Sequence, residues 1–168
     1  MRPAPTAGYA GAMQIHLESP DQAEVRALIA ALDAYQDTLY PPESRHALAI
    51  DALMAPAVDF LVARDVQGRA IGCGALVHGP QWAELKRLYV APGHRGQGVA
   101  QALMAALHQR ATERGSHWLV LETGPLQPEA LALYERCGYT RRGPFGGYRD
   151  DPLSVFMERR LPAAPSLA

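Results

Sequence analysis

The chain is short of the features that would place it outside the ordinary globular proteins. It has two cysteines, Cys73 and Cys137, too few for a disulfide framework. A reducing, cytoplasmic setting is the default for such a chain. No apolar run approaches the ~18 residues that a membrane-spanning helix needs. The opening residues, MRPAPTAGYAGA, carry one Arg and lack the apolar stretch of a signal peptide. Sixteen Lys and Arg against seventeen Asp and Glu leave a formal charge of −1, so nothing favours nucleic acid or an anionic membrane as partner. The six histidines show no H-E-x-x-H spacing and the cysteines lie far apart, so no metal site is expected.

What is present fits one domain. With 168 residues and 48% hydrophobic content, the chain is long and apolar enough to bury a core. Residues 1–12 are small and aperiodic and read as a disordered leader. Residues 13–161 read as a single domain, and 162–168 as a frayed tail. No repeat or long linker divides the chain.

Periodicity and turn chemistry give an element order. A short strand runs from Met13 to Leu17. Ser19 then caps a helix whose apolar stripe is Val25, Leu28, Ile29, Leu32, Tyr35 and Leu39, stopped by Pro41-Pro42. A shorter helix is expected from Glu43 to about Met54. Val58–Ala63 and Ala70–Val77 read as a hairpin around Gly68. A strand, Glu84–Val90, leads through a Gly-rich loop into a helix from Val99 to about Arg114. His117–Thr123 is a buried strand, and Gln127–Gly138 a helix. Strands near Tyr139–Arg142 and Leu153–Leu161 flank a loop at Gly143–Asp151. The pattern implies a mixed sheet with helices on both faces, Glu84–Val90 and His117–Thr123 lying parallel.

The centre of this order is the stretch Ala83–Ala111. Val99, Ala102, Leu103, Ala106 and Leu107 mark one helix face. Ahead of them, Arg95-Gly96-Gln97-Gly98 lets backbone approach a ligand closely. The uncompensated N–H groups of the helix start favour an anion, and no Asp or Glu occurs from Arg95 to Gln109. This is a phosphate-binding strand–loop–helix.

Three ligand classes compete for it. A P-loop requires Lys-Ser/Thr where Val99-Ala100 stand. A dinucleotide fingerprint is imitated by Gly96, Gly98 and Glu122, but Gln101 replaces its third glycine and three strands precede the loop. The third reading is a resemblance. Arg95-Gly96-Gln97-Gly98-Val99-Ala100 matches the Q/R-x-x-G-x-G/A signature of the GNAT superfamily of acyl-CoA-dependent N-acetyltransferases. ELKRLYV, Glu84–Val90, is similar to its central strand, and LALYERCGY, Leu131–Tyr139, to its late helix. The end of the chain, ETGPLQPEALALYERCGY followed by PFGGYRDDPLSVFMERRL, resembles a bacterial branch of small single-domain members.

The resemblance implies an α/β (α+β) fold with a largely antiparallel twisted sheet of about seven strands and about four helices. It implies acetyl-CoA as the acyl donor. Arg95, Gly96, Gln97, Gly98, Val99 and Ala100 would hold the pyrophosphate, and backbone groups of Leu88, Tyr89 and Val90 the pantetheine and acyl carbonyl. Thr123 stands where the family often has a pantetheine-binding Asn. Glu84 stands at the family's general-base position, with an ion pair to Lys86 or Arg87 as its ordinary alternative. Tyr134 stands at the general-acid position near the sulfur. For the acceptor, a small-molecule primary amine, the expected pocket is Tyr35, Tyr40, Glu122, Phe145, Tyr148 and Arg149. A non-catalytic acyl-CoA sensor and an enzyme acting on protein amines remain open alternatives, as does a homodimer.

Overall fold

The computed structural model describes residues 13–162. The expected leader lies outside them, as does the expected tail beyond Pro162. Seven strands form one sheet: β1 (Gln14–Leu17), β2 (Val58–Arg64), β3 (Ala70–His78), β4 (Ala83–Val90), β5 (Trp118–Thr123), β6 (Thr140–Arg142) and β7 (Val155–Arg160). Their spatial order is β1-β2-β3-β4-β5-β7-β6. The β4–β5 pair is parallel and its neighbours are antiparallel. Four helices complete the fold: α1 (Ala23–Asp37), α2 (Ile50–Leu53), α3 (Val99–Glu113) and α4 (Pro128–Arg136).

The period-2 alternation of the strands sorts side chains onto two faces. Leu61, Ala63, Ile71, Leu76, Leu85, Leu119 and Leu121 turn toward Val99, Leu103, Met104 and Leu107 of α3 and Leu133 of α4. On the opposite face, Phe60, Val62, Cys73 and Ala75 meet Val25, Leu28, Ile29 and Leu32 of α1. Val120, Phe145 and Phe156 make a smaller apolar cluster with Trp82 and Tyr148.

Two irregularities in β4 create the functional crevice. Between β3 and β4 the register slips: Ala75 pairs with Lys86, whereas Cys73 pairs with Tyr89. The extra residue makes a bulge at Arg87–Leu88, where Arg87 has φ +58°. It reverses the alternation, because a one-residue shift exchanges faces. Leu85 and Leu88 therefore both pack toward α3 while Tyr89 joins the α1 face. The second irregularity is short pairing. β4 and β5 pair only over Ala83–Leu85 and Leu119–Leu121, and beyond that they part.

The structure corrects the expected helix at Glu43–Met54. Pro42–Ser44 is a 3₁₀ turn and Ile50–Leu53 a single α-turn. Between them the carbonyls of His46 and Leu48 accept hydrogen bonds from Lys86 and Arg87 of β4, not from the backbone four residues on. Every buried carbonyl needs a partner, and here long-range side chains supply it. Ser19 is also not the helix cap: α1 starts after Gln22, and Ser19 Oγ instead accepts from the Asp21 N–H at 3.1 Å. The last strand starts at Val155, two residues later than expected, because Asp151 holds Leu153 and Ser154 in a turn.

Candidate active site

The parting of β4 and β5 opens two connected hollows. The larger, about 640 Å³, runs beside Leu88, Tyr89 and Val90 to Arg95, Gly96, Gly98, Val99 and Ala100 at the start of α3. The smaller, about 120 Å³, is enclosed by Tyr40, Ser44, Arg45, His46, Lys86, Glu122 and Thr123, among others. Leu32, Leu88, Gln127, Ala130 and Tyr134 line both.

The larger groove is built to receive an anion at its far end. Gly96 and Gly98 have φ of +73° and +83°, a region that disfavours residues with a Cβ. Gly98 is the N-cap of α3, no side chain caps that end, and its first turn has no acid. The N–H groups and the helix dipole there are left to a ligand. Arg95 Nε donates to the Val90 carbonyl at 3.0 Å, and its guanidinium lies 5.5 Å from the Tyr89 ring centroid. That contact fixes a cation between strand and loop. Gln97, expected in the same set, does not line the groove; its Oε1 is buried without a hydrogen-bond partner.

The junction of the two hollows is Tyr134 of α4. It is 8% exposed. Burial, with Cys137 and Glu122 nearby, pushes its phenol well above the usual range, so the hydroxyl keeps its proton.

The smaller chamber holds a carboxyl with an unusual affinity for protons. Burial raises Glu122 to about 7; Glu84 and Asp151 add to the rise, while Lys86 and the Ser154 hydroxyl oppose it. A group titrating near neutrality is suited to accept and release a proton.

Glu84 sits differently. It lines neither hollow. Tyr148 donates its hydroxyl to Glu84 Oε2 at 2.5 Å, and Lys86 Nζ lies 3.3 Å from the same oxygen. Lys86 also donates to Tyr148 Oη at 2.7 Å and to the His46 carbonyl at 2.8 Å. The ion pair with Lys86 weighed from the sequence is thus present.

The other expected acceptor residues divide. Tyr40 lines the chamber and its hydroxyl accepts from the Leu126 N–H at 3.1 Å. Thr123, expected at the pantetheine, lines the chamber and not the larger groove, and Tyr35, expected at the acceptor, lines the groove and not the chamber. Phe145 is buried against Trp82 and Phe156. Tyr148 does not line either hollow but touches two residues of the chamber wall, Lys86 through its hydroxyl and His46 by an edge-on ring contact at 5.1 Å, and Arg149 is exposed and lines neither hollow. Sequence reading missed Arg45, His46 and the chamber face of Lys86. The segment carrying the first two was expected to be helical, and the bulge decides where β4 side chains face.

The acetyltransferase (GNAT) family model matches residues 25–139, from within α1 to just past α4. The chain belongs to this family. It is therefore an acyl-CoA-dependent N-acetyltransferase. It is 43% identical over 146 residues to an IAA acetyltransferase of Azospirillum brasilense, covering 86% of this chain and 95% of that protein. A crystal structure described as an acyl-CoA N-acyltransferase from Klebsiella pneumoniae superposes with a TM-score of 0.76 at 45% identity, covering 89% of this chain and 97% of that one. A spermidine N-acetyltransferase from Vibrio cholerae, in complex with CoA and spermine, shares the fold at 19% identity, with a TM-score of 0.66 over 90% of this chain and 96% of that one.

The GNAT donor, acetyl-CoA, suits the residues found. The uncapped α3 start and Arg95 would hold its pyrophosphate. The β4 edge left without a partner beyond Leu85 would accept its pantetheine as an added strand. Among the described residues no helix is long and apolar enough to cross a membrane, and no group of three or more His, Cys, Asp or Glu is placed to hold a metal ion.

Proposed function

We propose that this N-acetyltransferase transfers the acetyl group of acetyl-CoA to the primary amine of a small molecule, by direct attack within a ternary complex. The observation that carries this reading is the meeting of an anion-binding groove and a small polar chamber at Tyr134, with Glu122 in the chamber wall. The chamber's volume of about 120 Å³ favours a compact acceptor over a protein segment.

The division of labour follows from proton affinities. An amine attacks only after losing its proton, and a departing thiolate needs one. Glu122, raised to about 7 by burial, takes the amine's proton, directly or through water. This gives Glu122 the role that the family motif assigns to Glu84. Glu84, clamped by Tyr148 and Lys86, sets the field around Glu122. Tyr134, neutral and buried between the two hollows, hydrogen-bonds the sulfur and gives up its proton as the thiolate leaves, and the proton that Glu122 took from the amine restores the phenol. Backbone N–H groups of the Leu88–Val90 stretch face the acyl carbonyl and stabilise the oxyanion as it forms.

The test is a panel of small amines incubated with acetyl-CoA, read by thiol release and by mass spectrometry of the products. Stoichiometric N-acetylation of one compact amine class supports the reading. Turnover with peptide amines alone, or none, contradicts it.

A further inference from the structure

Arg87 holds a backbone conformation that its residue type disfavours. At φ +58° its Cβ crowds the following carbonyl, and among the described residues it is the one non-glycine with positive φ. The position coincides with the register slip between β3 and β4. Its own carbonyl accepts the Cys73 S–H at 3.4 Å.

The side chain is 6% exposed and engaged on elements outside β4. Nε and Nη2 donate to the Leu48 carbonyl at 3.1 and 2.8 Å, and Nη1 pairs with Asp33 of α1 at 2.5 Å. A strained backbone persists only where its surroundings over-determine it. Here the fork-shaped guanidinium meets a carbonyl and a carboxylate at once, which an ammonium on a flexible stem does not reproduce. Leu48 belongs to the wall of the acceptor chamber, and Leu88, Tyr89 and Val90, next along the strand, belong to the donor groove. One side chain therefore joins the acceptor wall to the strand segment facing the acyl donor.

We propose that Arg87 is a positioning residue whose tether to Asp33 and Leu48 holds the β4 bulge so that the backbone N–H groups following it meet the acyl carbonyl. The proposal rests on the reading that the donor lies along β4. It also implies that the acceptor wall and the acyl-binding strand move as one unit.

Arg87→Gly tests this directly, because glycine adopts φ +58° without strain yet lacks the tether. The readouts are the infrared carbonyl band of ¹³C-labelled acetyl-CoA on the enzyme, its dissociation constant by calorimetry, and kcat with an amine acceptor. The wild-type complex should show a carbonyl band shifted to lower frequency. In Arg87→Gly the shift should shrink, kcat should fall about 10- to 100-fold, and the dissociation constant should stay within about threefold. Guanidinium ion added at millimolar levels should restore part of the band shift, and ammonium should not. An Arg87→Gly protein with a wild-type band and kcat, and only a lower melting temperature, overturns the proposal. Absence of any band shift in the wild-type complex overturns the donor reading and the proposal with it. Should Arg87→Gly fail to fold, Asp33→Asn carries the same band and kcat test.

Discussion

Tyr148 and Glu84 are far apart in sequence, yet the phenol of one donates to the carboxylate of the other at 2.5 Å. Burial, and then the bond to Glu84, raise the Tyr148 phenol well above its usual range, so it remains a donor. Because the same oxygen accepts from Lys86, the late loop, β4 and the α1–α2 segment are fastened at one point. Tyr148→Phe removes that point while leaving the ring contacts. Losing a partly buried hydrogen bond to a charged group should cost about 1.5–3 kcal/mol, read by urea unfolding, with only a modest change in kcat.

Tyr134 lines both the larger groove and the smaller chamber. Tyr134→Phe keeps the ring and removes the proton. Its expected effect is a fall in kcat of about 10²-fold, with the dissociation constant of acetyl-CoA unchanged. Calorimetry beside steady-state kinetics checks this; unchanged kcat refutes the acid role.

Gly98 caps α3 at φ +83° with open space around its Cα. Gly98→Ala meets no steric neighbour, so its cost is conformational, about 1–2 kcal/mol. The shift should also turn the N–H groups of the first helical turn away from the anion. A lower melting temperature together with a raised KM for acetyl-CoA is the expected pair; a stability loss with unchanged KM speaks against phosphate binding at this turn.

Glu122 links stability to pH. Its carboxyl titrates at about 7 in the folded chain against 4.5 for the ordinary group. The folded state therefore binds more protons than the unfolded state between these values, and stability falls as pH rises through the window. The contribution is fully present below 4.5 and lost above 7. Glu122→Gln removes this dependence. Melting temperatures of the two proteins should converge near pH 5, and the variant should be the more stable near pH 8.

Much of this architecture was legible from local pattern. The β4–α3–β5 unit announces itself through the Val99, Leu103, Leu107 stripe and the Gly96 and Gly98 punctuation, because these signals are local. The segment after α1 was not legible. Its carbonyls are claimed by Lys86 and Arg87, contacts that no local periodicity encodes. The chamber was only partly legible for the same reason. Phe145 and Arg149 share a loop, but the aromatic ring entered the cluster with Trp82 and Phe156 while Arg149 stayed in solvent. The contrast between Glu84 and Glu122 depends on where β4 and β5 part and on which neighbour each carboxyl meets, and motif position carries neither.

The central claim is that Glu122 receives the proton during transfer, and the pH dependence of kcat/KM tests it most directly. The wild-type profile should rise to a plateau with an inflection near 7, the value set by the burial of Glu122. Glu84→Gln should keep that inflection. Glu122→Gln should lose it and fall by about 10²- to 10⁴-fold. An inflection that survives in Glu122→Gln and vanishes in Glu84→Gln would contradict the account.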